Sequence, residues 1–322
     1  MSSTLSKLAA TLAVGGAIAA LAAAPAIAGD AASCKNVRLS DVGWTDITAV
    51  TALTGAMLEQ MGYTGDIKQL AVPVTFASMK SKDIDVFLGN WMPSMEGDIR
   101  QYLDDKSVEQ ISQNLPEGAK YTLAVPQYTY DKGLHDFKDI AKFKDALHGK
   151  FYGIEPGNDG NRHILDMIKD PQYKLDGWEL VESSEAGMLS QVAKATAANE
   201  DVLFLGWAPH PMNVNWKIAY LTGGDALFGP NYGGAIVWTT VRKGYMDECP
   251  NVGKMMKQLK FDVSMENEIM GEILNKNADP KAASLAWVKA HPDVLKAWLD
   301  GVTTMDGAGP ALDAVKKGFG VQ

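Results

Sequence analysis

The chain has few of the residues, and none of the short motifs, on which most enzymes depend. Its 322 residues include only 2 Cys and 5 His, and the histidines lack the spacing of metal ligands. No Gly-x-Ser-x-Gly elbow, His-Glu-x-x-His pair or Gly-x-x-x-x-Gly-Lys phosphate loop is present. These absences predict a protein that performs no catalysis and holds neither a metal nor a cofactor.

Positive charge is also in short supply. The chain carries 30 Lys and Arg against 39 Asp and Glu, a formal net charge of −9. This balance argues against a nucleic-acid partner, which needs a basic face. The hydrophobic content of 46% excludes a disordered chain. Since a single core stops growing at roughly 250–300 residues, we expect two globular lobes.

Long apolar runs are absent except at the very start of the chain. Lys7 precedes an apolar run at 8–24, and Ala26-Ile27-Ala28 has the small-x-small pattern of a cleavage site. Residues 1–28 are therefore predicted to be a signal peptide that is cleaved on export; an uncleaved membrane anchor is the alternative. Beyond residue 28 no apolar stretch approaches about 18 residues, so the mature chain is predicted to be soluble.

Export would place the two cysteines of the chain in an oxidising compartment, where disulfides form. In an oxidising compartment Cys34 and Cys249 are expected to form a disulfide, because no third Cys competes. Two free buried thiols are the alternative. A bond between them places the start of the mature chain beside residue 249, as a discontinuous lobe requires.

A pattern of alternating strands and helices occurs twice. The first unit has predicted strands at 36–42, 66–72 and 85–91 with helices at 47–61 and 74–80; the second has strands at 150–154, 181–184 and 201–207 with helices at 161–168 and 185–198. Four helical segments are predicted to finish the chain, at 251–260, 265–276, 280–290 and 292–300. We predict an α/β protein of two lobes, with crossings near 115–121 and 212–236. Lobe I is assigned residues 29–117 plus 216–322, and lobe II residues 118–215.

Aromatic residues follow the strands of both units. Trp44, Trp91 and Trp207 each come after an apolar strand, and Tyr121 begins the strand after the first crossing. Ligands of parallel sheets bind beyond the carboxyl ends of the strands, so these rings are placed to meet between the lobes. A box of aromatic faces suits a quaternary ammonium, which has no N–H to donate. Ordinary core packing is the alternative, and it is our interpretation of the remaining tryptophans, Trp178, Trp216, Trp238, Trp287 and Trp298.

Two polar residues accompany the rings. Asp46 lies two residues after Trp44, where its carboxylate could attract a cation or could merely cap the helix that follows. Asn158 lies in a Gly-Asn-Asp-Gly turn before a helix of the second unit. It could bond a ligand hydroxyl or simply serve the turn.

The motifs together resemble one family. Asp41-Val-Gly-Trp44-Thr-Asp46, Phe87-Leu-Gly-Asn-Trp91-Met-Pro93, Lys120-Tyr121-Thr-Leu-Ala, Glu155-Pro-Gly-Asn158-Asp-Gly160 and Leu205-Gly-Trp207-Ala-Pro resemble the periplasmic choline-binding components of ABC importers, within the glycine-betaine/proline-betaine type of substrate-binding proteins. The resemblance covers essentially the whole mature chain. It implies a type II, Venus-flytrap periplasmic-binding-protein architecture and a monomer that delivers its ligand to a membrane permease with an ATPase.

The resemblance also implies a role for each candidate residue. Trp44, Trp91, Tyr121 and Trp207 would box the trimethylammonium group, and Asp46 with Asn158 would engage the hydroxyl end; Cys34 and Cys249 would form a disulfide. Closure of a hinge would bring Trp207 and Asn158 onto a ligand first met by the other lobe.

Charge favours choline over a betaine as the ligand. A betaine carboxylate placed near Asp46 would be repelled, and the turns that carry the cage offer no Lys or Arg of their own. Arg162, His163 and His210 come soon after these turns and could bind a carboxylate, which argues for a betaine. Betaines and acetylcholine therefore stay open as ligands, a choline-ester hydrolase is the enzymatic alternative, and Gly229-Pro-Asn-Tyr-Gly-Gly234 is interpreted as a flexible connection.

Overall fold

A computed structural model of the chain describes residues 29–321, so the predicted signal peptide at 1–28 lies outside the described residues. In this range the strands are β1 Asn36–Asp41, β2 Thr64–Gln69, β3 Val86–Met92, β4 Val108–Pro126, β5 Lys150–Tyr152, β6 Glu179–Val181, β7 Phe204–Ala208, β8 Ile218–Tyr220 and β9 Gly234–Arg242. The α-helices are α1 Thr45–Gln60, α2 Val72–Lys80, α3 Glu96–Asp104, α4 Gln127–Asp131, α5 Asp159–Lys169, α6 Glu185–Ala198, α7 Met212–Asn215, α8 Asp225–Phe228, α9 Pro230–Gly233, α10 Tyr245–Glu248, α11 Pro250–Gln258, α12 Val263–Lys276, α13 Pro280–Ala290, α14 Val294–Trp298 and α15 Ala311–Phe319.

The two predicted units have the same topology. In the first, β1 pairs in parallel with β2 and β3; in the second, β5 pairs in parallel with β6 and β7. One continuous ladder joins the units, in the order β2-β1-β3-β9-β4-β7-β5-β6. The α/β, two-lobe class predicted from the sequence is confirmed, and each unit forms the sheet of one lobe.

Strands β4 and β9 join the two lobes. The first half of β4 pairs with β9, from Val108↔Arg242 to Leu115↔Val237, and its second half pairs with β7, from Lys120↔Ala208 to Ala124↔Phe204. The predicted crossing near 115–121 is therefore a bend within one long strand, where the register with β9 shifts between Leu115 and Ala119.

Residues after 216 still contact the part of β4 that pairs with β7. Strand β8 pairs with Ala124–Pro126 at the far end of β4, on the opposite edge of β4 from β7. Phe228 of α8 packs on Tyr121, with ring centroids 5.6 Å apart. Because these contacts hold 218–228 to the β7 half, we place the return to lobe I near residue 234, where β9 begins; the lobe limits as a whole stay a prediction.

Two details of the sequence interpretation were wrong. Helix α15 at the end of the chain was not predicted; it begins at Ala311 after Pro310 and closes on Gly320, which has a left-handed φ of 68°. The Gly229–Gly234 segment is not a loose connection. A Cβ on Gly233 would lie 1.9 Å from the carbonyl oxygen of Tyr121, so the glycine lets α9 pack directly against a candidate site residue.

The disulfide prediction is confirmed. Cys34 and Cys249 are bonded, with Cα atoms 5.7 Å apart across 215 residues of sequence. The start of the described chain is held at the same place, since the Asp30 carboxylate accepts from the backbone N–H groups of Asn251 and Val252 at 2.9 Å each. Helix α11 thus begins against the N-terminal segment. Among residues 29–321, no helix is long and apolar enough to span a bilayer.

Candidate ligand-binding site

The register of the strands brings the four predicted rings together. Tyr121 on β4 is directly paired with Trp207 on β7, and their ring centroids are 6.3 Å apart at an interplanar angle of 79°. Trp91 on β3 contacts the other side of Tyr121, also at 6.3 Å and at 64°. Trp44 immediately precedes α1 as its N-cap residue. Trp91, Tyr121 and Trp207 therefore meet edge to face, and Trp44 lines the same cavity.

These rings enclose a small cavity. Its lining residues are Trp44, Asp46, Trp91, Tyr121, Ile154, Asn158, Asp159 and Trp207, and the free space between them is about 20 Å³, roughly that of one water molecule. All six candidate binding residues of the sequence analysis thus surround one cavity, while their contact with a ligand stays a prediction. Each of the four rings is at most 6% exposed, so a molecule held there is shielded from water.

Asp46 is the most unusual polar group of the cavity. Its side chain is buried, and neither carboxylate oxygen has a hydrogen-bond partner among the described residues. Asp46 lies in the first turn of α1, where a carboxylate complements the helix dipole and the backbone N–H groups of Asp46 and Ile47 lower its pKa. Burial, and secondarily the charge of Glu185, raise its pKa to about 8. A buried carboxyl without protein partners is suited to a cation or a hydroxyl from outside the chain.

Asn158 caps α5 and bonds one of the four rings, while its bond to a ligand hydroxyl stays a prediction. Its Oδ1 accepts from the backbone N–H of Asn161 at 3.2 Å and so caps α5, and it also accepts from the Tyr121 hydroxyl at 2.9 Å. Its Nδ2 donates to Asp159 Oδ1 at 3.1 Å. The helix cap therefore orients the amide and, through it, the hydroxyl of a cage ring.

Asp159 and Ile154 line the cavity although the sequence analysis did not select them. Asp159 is fully buried and accepts from the Ser94 hydroxyl of the other lobe. Burial raises the pKa of Asp159 to about 6, although the hydrogen bond from Ser94 acts in the opposite direction. Asp159 could have been selected from the sequence by its position next to Asn158 at the start of α5. A carboxylate at that position also complements the helix dipole.

Carboxylates of lobe II bond donors of lobe I on the rim of the cavity. Trp44 Nε1 donates to Glu155 Oε1 at 2.9 Å, and burial raises the pKa of Glu155 to about 7. Thr45 donates its backbone N–H and its hydroxyl to Glu185, at 2.8 and 2.5 Å. The two residues that precede Asp46 are therefore bonded to carboxylates of the other unit.

The three basic residues that could have bound a betaine carboxylate do not line the cavity. Arg162 donates to Asp98 at 2.5 Å and to the carbonyl oxygen of Ser94 at 3.3 Å, and His163 also contacts that carbonyl, at 3.1 Å. His210 packs edge-on against Trp207, with centroids 4.8 Å apart, and bonds Glu185. No positive side chain lines the cavity, so an anionic ligand group would meet Asp46 and Asp159 with no charge partner there.

None of the other five tryptophans lines the cavity, and Trp178, Trp216, Trp287 and Trp298 pack in or against the hydrophobic core, as interpreted from the sequence. Trp178 tilts against Phe151 at 5.0 Å, and Trp298 meets Phe261 edge to face at 5.8 Å. The part of the chain that the structure describes contains no group of three or more His, Cys, Asp or Glu side chains arranged to hold a metal. The cavity is thus lined by aromatic rings, carboxyl groups, an amide and one aliphatic side chain.

Comparison with known proteins places this geometry in context. Residues 35–290 match the model of a family described as the substrate binding domain of ABC-type glycine betaine transport systems. A solved structure described as an ABC-transporter choline binding protein in complex with choline is 58% identical, with a TM-score of 0.87, over 89% of this chain and 99% of that chain.

Two further proteins match this chain over different shares of its length. An unliganded, semi-closed structure, likewise described as an ABC-transporter choline binding protein, is 58% identical, with a TM-score of 0.82, over 90% of this chain and 100% of that chain. The glycine betaine/carnitine transport binding protein of Listeria monocytogenes is 30% identical over 155 residues, which are 48% of this chain and 50% of the relative.

Proposed function

Because the chain belongs to the family of substrate-binding domains of ABC-type glycine betaine transport systems, we propose that it is a choline receptor of an ABC importer. The trimethylammonium group lies among the rings of Trp44, Trp91, Tyr121 and Trp207, and the hydroxyl end is held by Asp46 and Asn158. The cage with its buried, unpartnered Asp46 is the observation that carries this proposal. The 58% identity to a protein solved with choline supports it.

The charge of the cavity favours choline over a betaine. Asp46 and Asp159 both line the cavity, and no Arg, Lys or His lines it with them. A cation gains from these carboxylates, whereas the carboxylate of glycine betaine meets like charge in a site of low dielectric. Glycine betaine is the second candidate, because the family description names it. Acetylcholine is the third, since its cationic head is identical to that of choline.

The receptor performs no chemistry on its ligand. The proposed cycle starts in the periplasm, after export and removal of residues 1–28. The monomer binds choline, closes, and presents the closed form to a membrane permease driven by an ATPase. The match to a substrate-binding family supports a receptor over a choline-ester hydrolase.

A calorimetric screen of choline, acetylcholine, glycine betaine and proline betaine tests the proposal. We expect choline to bind with a micromolar or lower Kd and glycine betaine at least about 10-fold more weakly, because about 1.4 kcal/mol of charge repulsion suffices for that ratio. Acetylcholine should be recovered intact after overnight incubation. Tighter binding of glycine betaine than of choline would contradict the choice of ligand, and release of choline from the ester would contradict the receptor.

Choline binding should release protons near neutral pH. In the ligand-free protein the raised pKa of Asp46, about 8, keeps the carboxyl largely protonated at pH 7. A bound cation favours the carboxylate and lowers this pKa, so the affinity should rise with pH up to about 8 and fall as the pH is lowered. Titration calorimetry in two buffers of different ionisation enthalpy measures the released protons.

Two other carboxyls require a control in that experiment. Glu155 and Asp159 have raised pKa values of about 7 and about 6 and could release protons too. In addition, the charge of Glu185 raises the pKa of Asp46, and the charge of Asp46 raises the pKa of the buried Glu266 of α12. The Asp46→Asn variant keeps these four groups, so it should release fewer protons than the wild type. Equal release by both proteins would exclude Asp46 as the source.

A further inference from the structure

Glu185 is a buried carboxylate that does not line the cavity and yet contacts both of its walls. It is the first residue of α6 in lobe II and is 5% exposed. Its two oxygens accept three hydrogen bonds, two from Thr45 of lobe I and one from His210 of lobe II at 3.1 Å. The partners are 140 residues before it and 25 residues after it in the sequence.

On the lobe I side, Glu185 completes the N-terminus of α1. The first N–H groups of a helix have no partner within the helix, and a side chain of the N-cap residue usually supplies one. The N-cap residue of α1 is Trp44, which makes no such bond. The N–H of Thr45 instead donates to Glu185 Oε2 at 2.8 Å. The cap of this 16-residue helix therefore comes from the opposite lobe.

The capped turn carries two of the cavity residues. Thr45 lies between Trp44 and Asp46, so holding its backbone and hydroxyl fixes the residues on either side of it. A carboxylate is a stronger acceptor than a neutral group, and it also interacts favourably with the positive end of the helix.

On the lobe II side, Glu185 orients a ring that packs on the cage. His210 Nδ1 accepts from the backbone N–H of Met212 at 2.9 Å, so Nε2 carries the proton and donates to Glu185. The His210 ring lies edge-on against Trp207 at 4.8 Å. One carboxylate thus connects the helix turn that bears Trp44 and Asp46 to the wall formed by Trp207.

We propose that Glu185 is a positioning residue that sets how long the closed, ligand-bound receptor persists, by capping α1 across the cleft. This inference rests on the proposed function. The cap forms only when the lobes are together, so its loss acts on opening and leaves the first encounter with the ligand unchanged.

Stopped-flow tryptophan fluorescence with choline tests the proposal in Glu185→Gln. Loss of one charge-assisted interaction predicts an increase in koff of about 10-fold, with kon changed less than about 2-fold. Glu179→Gln removes the same charge from an exposed position of β6 and should leave both rates unchanged. A lower kon with an unchanged koff, or no change in either rate, would overturn the proposal.

A double-mutant cycle asks whether Glu185 acts through Thr45. Thr45→Val removes the hydroxyl donor and keeps the N–H, so its koff should rise less than that of Glu185→Gln. The double variant should dissociate more slowly than the product of the two single effects predicts. Additive effects would overturn the proposed route. Unchanged circular dichroism and melting temperature of each variant show that the fold is retained.

A ligand-free measurement separates this inference from the proposed function. If wild-type protein does not bind choline, the proposed function fails, and hydrogen exchange at the first turn of α1 still tests the cap. Ligand-free protein also samples the state in which the lobes are together, so Glu185→Ala should accelerate exchange of the Thr45 N–H without ligand, while exchange at α14, which packs on α11, stays the same. Identical exchange at Thr45 in both proteins would refute the cap across the cleft.

Discussion

Replacing Trp207 with alanine is expected to weaken choline binding by about 3 kcal/mol, which is roughly 100-fold in Kd. Two terms add to this loss. A desolvated ring contributes about 2 kcal/mol or more to holding an onium group, and the cavity left behind admits water beside the cation. Trp207 is only 4% exposed and is held between Tyr121 and His210, so no neighbouring ring is free to replace it. Isothermal titration calorimetry measures the effect.

Two variants accompany that measurement. Trp207→Phe keeps an aromatic face and should lose less than Trp207→Ala, which separates the cage from a general failure to fold. Trp287→Ala removes an indole on α13 that bonds Glu268 and stacks on His291, away from the cavity, and should leave Kd unchanged. If Trp44→Ala, Trp91→Ala and Trp207→Ala all bound choline as wild type does, the aromatic cage would be wrong.

Above pH 8, where the Asp46 carboxyl is ionised, the Asp46→Asn variant should lose choline affinity by about 2–3 kcal/mol, on the order of 30- to 150-fold, and should lose much less for glycine betaine. The estimate follows from Coulomb's law, since two unit charges about 5 Å apart at an effective dielectric of about 20 attract by about 3 kcal/mol. Asparagine keeps the shape and a hydrogen-bonding oxygen and removes the charge. For glycine betaine, the lost attraction to the ammonium is offset by relief of repulsion at the carboxylate.

The ratio of the two affinities is the decisive quantity. Calorimetry with both ligands on both proteins gives it directly, and Asp313→Asn, an exposed aspartate on α15, controls for the change in net charge. Equal losses for choline and glycine betaine would remove the charge argument for ligand choice. A gain in choline affinity would mean that Asp46 opposes the ammonium and that its burial serves the fold alone.

Four carboxyl side chains from different parts of the sequence lie near one another at the cavity. Glu185 raises the pKa of Asp46 and of Glu155, Asp159 also raises that of Glu155, and burial is the main cause of the raised pKa values of Asp46, Glu155 and Asp159. Arg162 lies close enough to lower the pKa of Asp159 but is bonded to Asp98. A cavity with an excess of buried carboxyls favours the entry of a cation and disfavours an anion.

Local sequence patterns were sufficient for much of the fold and for the rings of the site. The strand–Trp–x–Pro ending occurs at Trp91 and again at Trp207, and both endings belong to units of identical topology. The disulfide between Cys34 and Cys249 could be predicted because the chain contains no third cysteine. These inferences succeeded because periodicity, turn residues and the number of cysteines are properties of short segments or of composition.

The sequence by itself determined which aromatic groups follow which strands, and therefore the kind of ligand that the cavity suits. Only the tertiary structure decided that Asp46 has no protein partner, that Asp159 lines the cavity, and that Glu185 caps α1 from the opposite lobe. The contact between Thr45 and Glu185 joins residues 140 positions apart. Local periodicity places a side chain on a helix or strand, but contacts between lobes depend on how β4 and β9 connect the two sheets, and no short segment encodes that arrangement.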